Sequence, residues 1–463
     1  MERDSRLLLS FYGDDFTGST DVMEALALSG VPTVLFLQPP TAELLADKFA
    51  NIRAFGVAGV SRSLATDELE RELRPVLERL RDIPTPIVHY KICSTFDSSP
   101  RIGSIGRAID LAASVWPGQR YVPLLVGVPQ LRRYTVFGNH YACVDDAIHR
   151  LDRHPTMSRH PVTPMDEADL RVHLSRQTNK SVGLMDILDL SGDLHRVRER
   201  LAARMSGSPD VLLYDVLDEE RLKRAGELIW EAANRGEEAR FVVGSSGVEY
   251  ALAAHWRELG LTGTAPQNEL EPRGPVDRLL AVSGSCSPVT ESQIRHAIEH
   301  GFVGVPVRAE RLVDRAEAEQ ERSRLAERAN EILRHNRSPL LYTALGSEDI
   351  AIRETRQRLE SGGSDGTPAA NAGQLIGEQL GRLAREVAAA NKLTRVLVAG
   401  GDTSGYVTRE LGIYALETAM PLAPGGPLCR GYSEDPAFDG IEIALKGGQV
   451  GQTDYFMRVL EGR

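Results

Sequence analysis

Two adjacent carboxylates stand out first. Asp14 and Asp15 lie in Phe11-Tyr-Gly-Asp14-Asp15-Phe-Thr17-Gly18-Ser-Thr20-Asp21, directly after the apolar run Leu7–Tyr12. That is where a first strand hands over to a first helix, and in a parallel sheet ligands bind at the carboxyl ends of the strands. Asp and Thr are good helix N-caps, but one Asp suffices for a cap. A second carboxylate beside it adds like-charge repulsion and a burial cost, so the pair points to function beyond capping. A phosphatase-type nucleophile needs an Asp two residues before another; positions 16 and 17 are Phe and Thr, and that chemistry is excluded.

A second polar segment is Tyr90-Lys91-Ile-Cys93-Ser94-Thr95-Phe-Asp97-Ser98-Ser99-Pro-Arg101-Ile-Gly103-Ser104-Ile-Gly106. One lysine, hydroxyls, an aspartate and many Ser/Gly N–H groups suit a small polyhydroxylated carboxylate. Lys91 neutralises the acid, while Ser94, Thr95 and Asp97 bond its hydroxyls. Two further turns run from strand to helix: Ser283-Gly284-Ser285-Cys286-Ser287-Pro288, with Pro suited to a first helical position, and Gly400-Gly401-Asp402-Thr403-Ser404-Gly405. Small residues at a helix N-terminus let N–H groups approach phosphate oxygens. Together with Lys446-Gly447-Gly448 near the end, they suggest a nucleotide.

Several chemistries are absent. The chain has no G-x-x-x-x-G-K-[ST] and no G-x-G-x-x-G after its first strand, which excludes a P-loop and disfavours a dinucleotide site. Asp15-Phe16-Thr17-Gly18 lacks the D-F-G order, and no H-R-D loop exists, so it is no protein kinase. His149, His154 and His160 are spaced unlike a metal helix and read as a loop over the substrate, with Arg153 and Arg159 as anion contacts. No metal ligand is assigned. Cys93, Cys143, Cys286 and Cys429 form no C-x-x-C pair and read as buried free thiols of a reducing cytoplasm.

The elements that must position these groups follow from the apolar rhythm. The 463 residues suit two or three domains, and 54 basic against 65 acidic residues give a net charge of −11. The acidic excess argues against a nucleic-acid partner, and no apolar stretch approaches the roughly 20 residues of a membrane span. Short apolar runs at Leu7–Tyr12, Thr33–Leu37, Ala54–Val60, Pro86–Ile92, Pro123–Val128, Val182–Leu188, Val211–Val216 and Phe241–Val243 alternate with helical patterns such as Thr66–Arg81. This predicts an α/β fold with parallel sheets. The Gly/Pro-rich stretch after Leu259 is a linker. The rhythm resumes with strands at Arg278–Ser283, Phe302–Val307, Pro339–Thr343 and Arg395–Ala399. A polar loop at Ser361–Thr367 and a helix near Asn371–Asn391 precede the last of them. The expected layout is an N-terminal domain over 1–262, a linker over 263–277 and a C-terminal domain over 278–463.

Taken together, Gly13-Asp14-Asp15-Phe16-Thr17-Gly18, Lys91 with Ser94-Thr95, Gly244-Ser-Ser-Gly247, Ser283-Gly-Ser-Cys-Ser287, Gly400-Gly-Asp-Thr-Ser404 and Leu445-Lys-Gly-Gly448 resemble the four-carbon acid sugar kinase family, in order along nearly the whole chain. The resemblance implies a sugar-acid-binding N-terminal domain, a nucleotide-binding C-terminal domain and ATP-dependent phosphorylation of a terminal hydroxyl. Carried over by position, Asp14, Asp15, Lys91, Ser94 and Thr95 match the substrate motifs. Ser283 or Ser285, Gly400, Gly401, Asp402, Thr403 and Gly448 match the nucleotide motifs. Simple tetronate kinases of the family carry Asp-Ser-Thr-x-Arg-Gly-Asn after the lysine; here Asp97 replaces the Arg, a form that looks like the 3-oxo acid branch. Tyr12, the Pro100-Arg101-Ile-Gly103-Ser104 continuation and the extra length favour 3-oxo-isoapionate slightly over 3-oxo-tetronate.

The resulting expectation is a cytoplasmic kinase with its active site in an interdomain cleft, ATP and Mg²⁺ on the C-terminal turns, and Asp15 as base with Asp14 as runner-up. Neither nucleic acid nor membrane is a partner, and an oligomer is compatible. A non-catalytic sugar-acid sensor and a sugar-acid dehydrogenase are the competing readings.

Overall fold

The structure, a computed structural model, describes residues 7–144, 146–160, 162–235, 239–262, 270–361 and 372–463. Positions 263–269 of the expected linker lie outside the described residues. So do 362–367 of the expected polar loop and position 371 at the head of the expected helix. The chain is α/β and divides into two compact units. The first takes the chain up to Thr33 and resumes at Gln38; the second takes Val34–Leu37 and the chain beyond the 263–269 segment.

The first unit contains strands β1 (Leu9–Gly13), β3 (Ala54–Ala58), β4 (Ile87–Lys91), β5 (Val122–Leu125), β9 (Val182–Met185), β10 (Val211–Tyr214) and β11 (Arg240–Gly244). They are ordered β3-β1-β4-β11-β5-β10-β9, and each pairing is parallel. Every residue of β1, β3, β4, β5 and β10 is buried, as a sheet covered on both faces requires. Helix Thr66–Asp82 buries Leu69, Leu73, Val76, Leu77 and Leu80, the stripe that the sequence periodicity marks. Gly13 of β1 pairs with Ala58 and with Lys91, and Lys91 pairs with Gly244. Four strand ends thus reach one edge in step, and the residues following them converge.

Three strands inside this unit escape the apolar rhythm: β6 (Arg133–Val136), β7 (Asn139–Val144) and β8 (Ala147–Arg150), an antiparallel sheet. The two-residue turn between β6 and β7 has Phe137 at φ 50° and Gly138 at φ 80°, the paired positive φ of a type I′ hairpin. A phenylalanine is a poor occupant of that conformation. Buried Asp215 compensates by accepting both turn N–H groups, from Phe137 and, at 3.0 Å, from Gly138.

The second unit orders β13 (Val303–Pro306), β14 (Pro339–Tyr342), β12 (Leu280–Ser283), β15 (Arg395–Ala399) and β18 (Glu442–Lys446) in a parallel run as β13-β14-β12-β15-β18. Beyond β18 the pairing becomes antiparallel through β17 (Gly426–Ser433) and β16 (Ile413–Ala423), two long strands absent from the sequence reading. The last neighbour of β16 comes from far upstream. It is β2 (Thr33–Phe36), with Val34, Leu35 and Phe36 opposite Glu417, Leu416 and Ala415. Residues 34–37 lie within the span that sequence reasoning gave to the first domain, yet they complete the second unit's sheet. Ile294, Phe302, Leu397, Tyr455 and Phe456 pack in its core.

No helix among the described residues is long and apolar enough to cross a membrane. The cysteines are free thiols, but of the four only Cys429 is buried as expected; Cys93 and Cys143 are half-buried and Cys286 is exposed in its turn. The polar neighbours on both sides of it, Ser285 and Ser287, turn their side chains back onto their own loop and helix instead.

Candidate functional site

At the carboxyl edge of the first unit's sheet, Asp14 and Asp15 meet a residue that sequence reasoning missed. Arg62 holds Asp14 with two hydrogen bonds, Nη2 to Oδ1 at 2.6 Å and Nε to Oδ2 at 3.1 Å. The same Nη2 lies 2.8 Å from Asp15 Oδ1. Backbone bonds fix the geometry: Arg62 N–H donates to Asp14 C=O, Asp14 N–H to Lys91 C=O, and Gly59 N–H to Gly13 C=O. One guanidinium between two carboxylates removes the repulsion that makes an Asp-Asp pair costly. Burial pushes the Asp14 carboxyl above the ordinary range while Arg62 pulls it down. Burial disfavours the Arg62 cation, but Asp14 and Asp15 outweigh it and keep the guanidinium charged.

Asp15 has a second task. Its Oδ1 accepts from Gly18 N–H at 2.8 Å and N-caps helix Phe16–Leu28. Gly18 is glycine for steric reasons: a Cβ there would lie 2.5 Å from Asp15 Oδ1 and 3.0 Å from Lys91 Nζ. Asp15 keeps 26% of its side chain exposed, against 4% for Asp14. Lys91 is buried, donates to Ile92 C=O at 3.0 Å and lies 3.8 Å from Asp21 Oδ2.

The Ser/Thr loop is bound to this edge. Thr95 Oγ1 donates to Asp97 Oδ1 at 2.7 Å and lies 2.9 Å from Cys93 Sγ. Burial, followed by the charge of Asp97, pushes the Cys93 thiol up to about 11, so it stays an uncharged neighbour and not a nucleophile. Phe96 takes a left-handed φ of 58° and is fully buried against the edge of the His173 ring. Ser94 C=O is held by His140 Nε2 at 2.8 Å, while Thr135 Oγ1 lies 3.0 Å from Nδ1. Burial drives His140 down to about 4. The ring is therefore neutral, with Nε2–H donating to Ser94 and Nδ1 accepting from Thr135. The unforeseen hairpin thus fixes the loop that carries Ser94, Thr95 and Asp97.

The expected histidine loop does something plainer. His154 Nδ1 accepts from Thr156 and Met157 N–H, and His160 Nδ1 accepts from Thr163 N–H. Both rings cap local turns, and neither belongs to a metal-like cluster among the described residues.

In the second unit the Gly/Ser turns join through another unpredicted residue. Thr290, fully buried in the first turn of helix Pro288–Glu299, receives Ser285 Oγ–H at 3.1 Å and donates to Gly448 C=O at 2.8 Å. Lys446 Nζ donates to Thr290 Oγ1 at 2.9 Å. A Cβ on Gly284 would lie 2.1 Å from Thr403 Oγ1, and one on Gly448 would lie 2.9 Å from Ser285 Oγ. Gly400 at φ 125° starts helix Gly401–Glu410 and ties back through its N–H to Lys446 C=O. The structure therefore brings Ser285, Gly400, Thr403 and Gly448 together. Ser283 Oγ is buried with no hydrogen-bond partner among the described residues. Asp402 is exposed at the helix start, beside Gly373, and joins none of these bonds.

Comparison with known proteins assigns each half separately. Residues 9–252 match the sugar-binding N-terminal domain family and residues 280–456 the nucleotide-binding C-terminal domain family. A 3-oxo-isoapionate kinase of Paraburkholderia graminis is 48% identical over 457 residues, covering 99% of this chain and 95% of the relative. A 3-oxo-tetronate kinase of Pectobacterium atrosepticum is 26% identical over 97% of this chain and 98% of its own. A solved Salmonella typhimurium LT2 structure shares the fold at a TM-score of 0.76 and 24% identity, covering 98% of both chains. The relatives are kinases by name and lend no support to a sensor or a dehydrogenase. With both domain families matched in order and a full-length relative at 48% identity, the chain belongs to the four-carbon acid sugar kinase family, in its 3-oxo acid branch.

Proposed function

We propose that this protein is an ATP-dependent kinase that phosphorylates the terminal hydroxyl of 3-oxo-isoapionate, with 3-oxo-tetronate the next candidate, in the cytoplasm. The observation that carries the reading is the Arg62-bridged carboxylate pair at the sheet edge of the sugar-binding half. The 48% identity to a 3-oxo-isoapionate kinase, against 26% to a 3-oxo-tetronate kinase, supports the order of substrates.

Phosphoryl transfer asks the protein for positioning and charge neutralisation. Asp14 is fully engaged by Arg62 and holds that cation in place. Asp15 commits Oδ1 to Arg62 and the helix cap, and its exposure leaves Oδ2 to accept the proton of the attacking hydroxyl. Lys91 and Arg62 supply positive charge for the sugar acid's carboxylate, and the Ser94–Asp97 loop supplies partners for its hydroxyls. In the second unit, Ser283, Ser285, Gly400, Gly401, Thr403 and Gly448 form the nucleotide cradle, with Asp402 beside it. Mg²⁺ carried on the nucleotide neutralises part of the phosphate charge.

The test is ADP release with each oxo acid, for wild type and Asp15→Asn. Wild type turns over 3-oxo-isoapionate with the higher kcat/KM, and the variant loses about 10²–10⁴-fold in kcat at unchanged ADP affinity. Equal turnover by the variant removes Asp15 as base, and no ADP release with either acid removes the substrate assignment.

A further inference from the structure

Lys446 is 1% exposed, at the carboxyl end of β18 between the two glycine-bearing turns. An ammonium has three N–H donors. The only protein acceptor of Lys446 among the described residues is Thr290 Oγ1, so two of its donors have no acceptor among those residues. Among the described residues, no carboxylate pairs with it. On the packed elements, Glu291 pairs with Arg295, and Glu442, at the far end of the same strand, pairs with Arg395 and Arg273. Arg430 of β17 lies over the Tyr432 ring. Asp402, at the head of helix Gly401–Glu410, acts on Tyr406. The Tyr455 hydroxyl donates to Gly426 C=O, and its ring lies 6.0 Å from Nζ. Buried, unpaired cations are expensive, and this one is joined by a single hydroxyl to both Ser285 and Gly448.

We propose that Lys446 is the buried cation of the nucleotide site, anchored through Thr290 to the turns that receive the phosphates, and that nucleotide binding draws a proton from solvent onto its amine. This rests on the nucleotide reading of the second unit. Burial alone lowers the amine to about 7, so above that pH the empty site holds mostly neutral amine. A phosphate anion nearby favours the ammonium, and the proton taken up comes from buffer. Affinity therefore falls as pH rises above 7, by up to about tenfold per pH unit until the bound-state value is passed.

The experiment is calorimetric titration of the full-length protein with ADP and Mg²⁺ at pH 8, in two buffers of different ionisation enthalpy, for wild type, Lys446→Arg and Lys446→Met. ADP's own proton is common to all three and cancels in the comparison. Wild type is expected to take up a large fraction of a proton more than K446R, whose guanidinium is always charged. K446R keeps pH-independent binding between pH 7 and 9, and K446M binds at least tenfold more weakly at pH 7. The wild-type buffer comparison needs no variant, so it stands even where a substitution unfolds the domain. Wild type binding ADP without excess proton uptake, or K446M binding as wild type does, overturns the role of Lys446 and leaves the nucleotide site intact. Wild type failing to bind ADP overturns the nucleotide reading itself.

Discussion

Arg62 and Asp14 form a two-point clasp, Nη2 to Oδ1 at 2.6 Å and Nε to Oδ2 at 3.1 Å, and the same Nη2 reaches Asp15. Only a planar, forked cation can serve both carboxylates in this way. Arg62→Lys keeps the charge and loses the fork. We expect kcat/KM for the oxo acid to fall at least tenfold in this variant while ADP affinity is unchanged. Arg62→Met leaves two carboxylates facing one another with no cation between them. Its pH–rate profile should change shape, because the two carboxylates then repel one another with no cation to hold them. A pH–rate profile identical to wild type would remove Arg62 from the site.

Gly18 separates stability from activity. In a helix interior, Gly→Ala adds about 1 kcal/mol of propensity. Here, however, the new Cβ would press on Asp15 Oδ1 and Lys91 Nζ. Gly18→Ala should gain helix propensity but lose part of the Asp15 cap, so its stability should change by about 1 kcal/mol or less in either direction, while kcat drops at least tenfold. Thermal unfolding beside steady-state kinetics reads both quantities from one sample.

Two buried groups titrate in opposite senses around the hairpin. Burial raises Asp215 to about 6, so the folded state binds its proton more tightly than the unfolded chain. Its contribution to stability grows as pH falls from 6 to 4, by about 3 kcal/mol at most. Burial lowers His140 to about 4, so the unfolded chain protonates first and stability is lost over the window from about 6.5 down to 4, again by about 3 kcal/mol at most. In wild type the two slopes oppose one another. Asp215→Asn should therefore make acid destabilisation steeper between pH 6 and 4, and His140→Asn should make it shallower. Urea unfolding at pH 4, 5, 6 and 7 measures both, and parallel curves for all three proteins would contradict the assignment.

Arg395 tests what holds the second unit together. It is 1% exposed, paired with Glu442, and donates to the carbonyls of Gly274 and Val459. Arg395→Met strands the two carbonyls and leaves Glu442 to Arg273 alone, and breaking a buried pair by removing one partner costs at most about 3–5 kcal/mol. The loss should appear as a lower unfolding midpoint in the 270–463 region by hydrogen exchange, with protection of the first unit's central strands unchanged.

The legible parts of the chain were those in which one local signal decides the outcome. Short, mostly apolar runs such as Leu9–Gly13 and Val396–Ala399 read as strands buried on both faces, and the turns after them carry the polar residues that a strand end presents. Arg62 was not legible because it follows β3 in a 3₁₀ turn with no motif around it; only the pairing of β1 with β3 brings it to Asp14. Thr290 lies inside an ordinary helix, and its role depends on a carbonyl 158 positions away. The β6–β7 hairpin lacked the Asn-Gly turn that announces such pairs. Its Phe-Gly turn depends on Asp215, which lies 77 positions beyond Gly138. Strands β16 and β17 mix buried and exposed positions around bulges, which breaks the alternation by which strands are read.

The course of residues 34–37 has a practical side. A fragment beginning after the 263–269 segment would lack the strand that covers β16, leaving that strand's amides and carbonyls bare along an apolar rim. Such a half-protein is primed to borrow the missing ribbon from another molecule or to clump. Anyone wishing to study the nucleotide half alone should graft residues 33–37 back onto it.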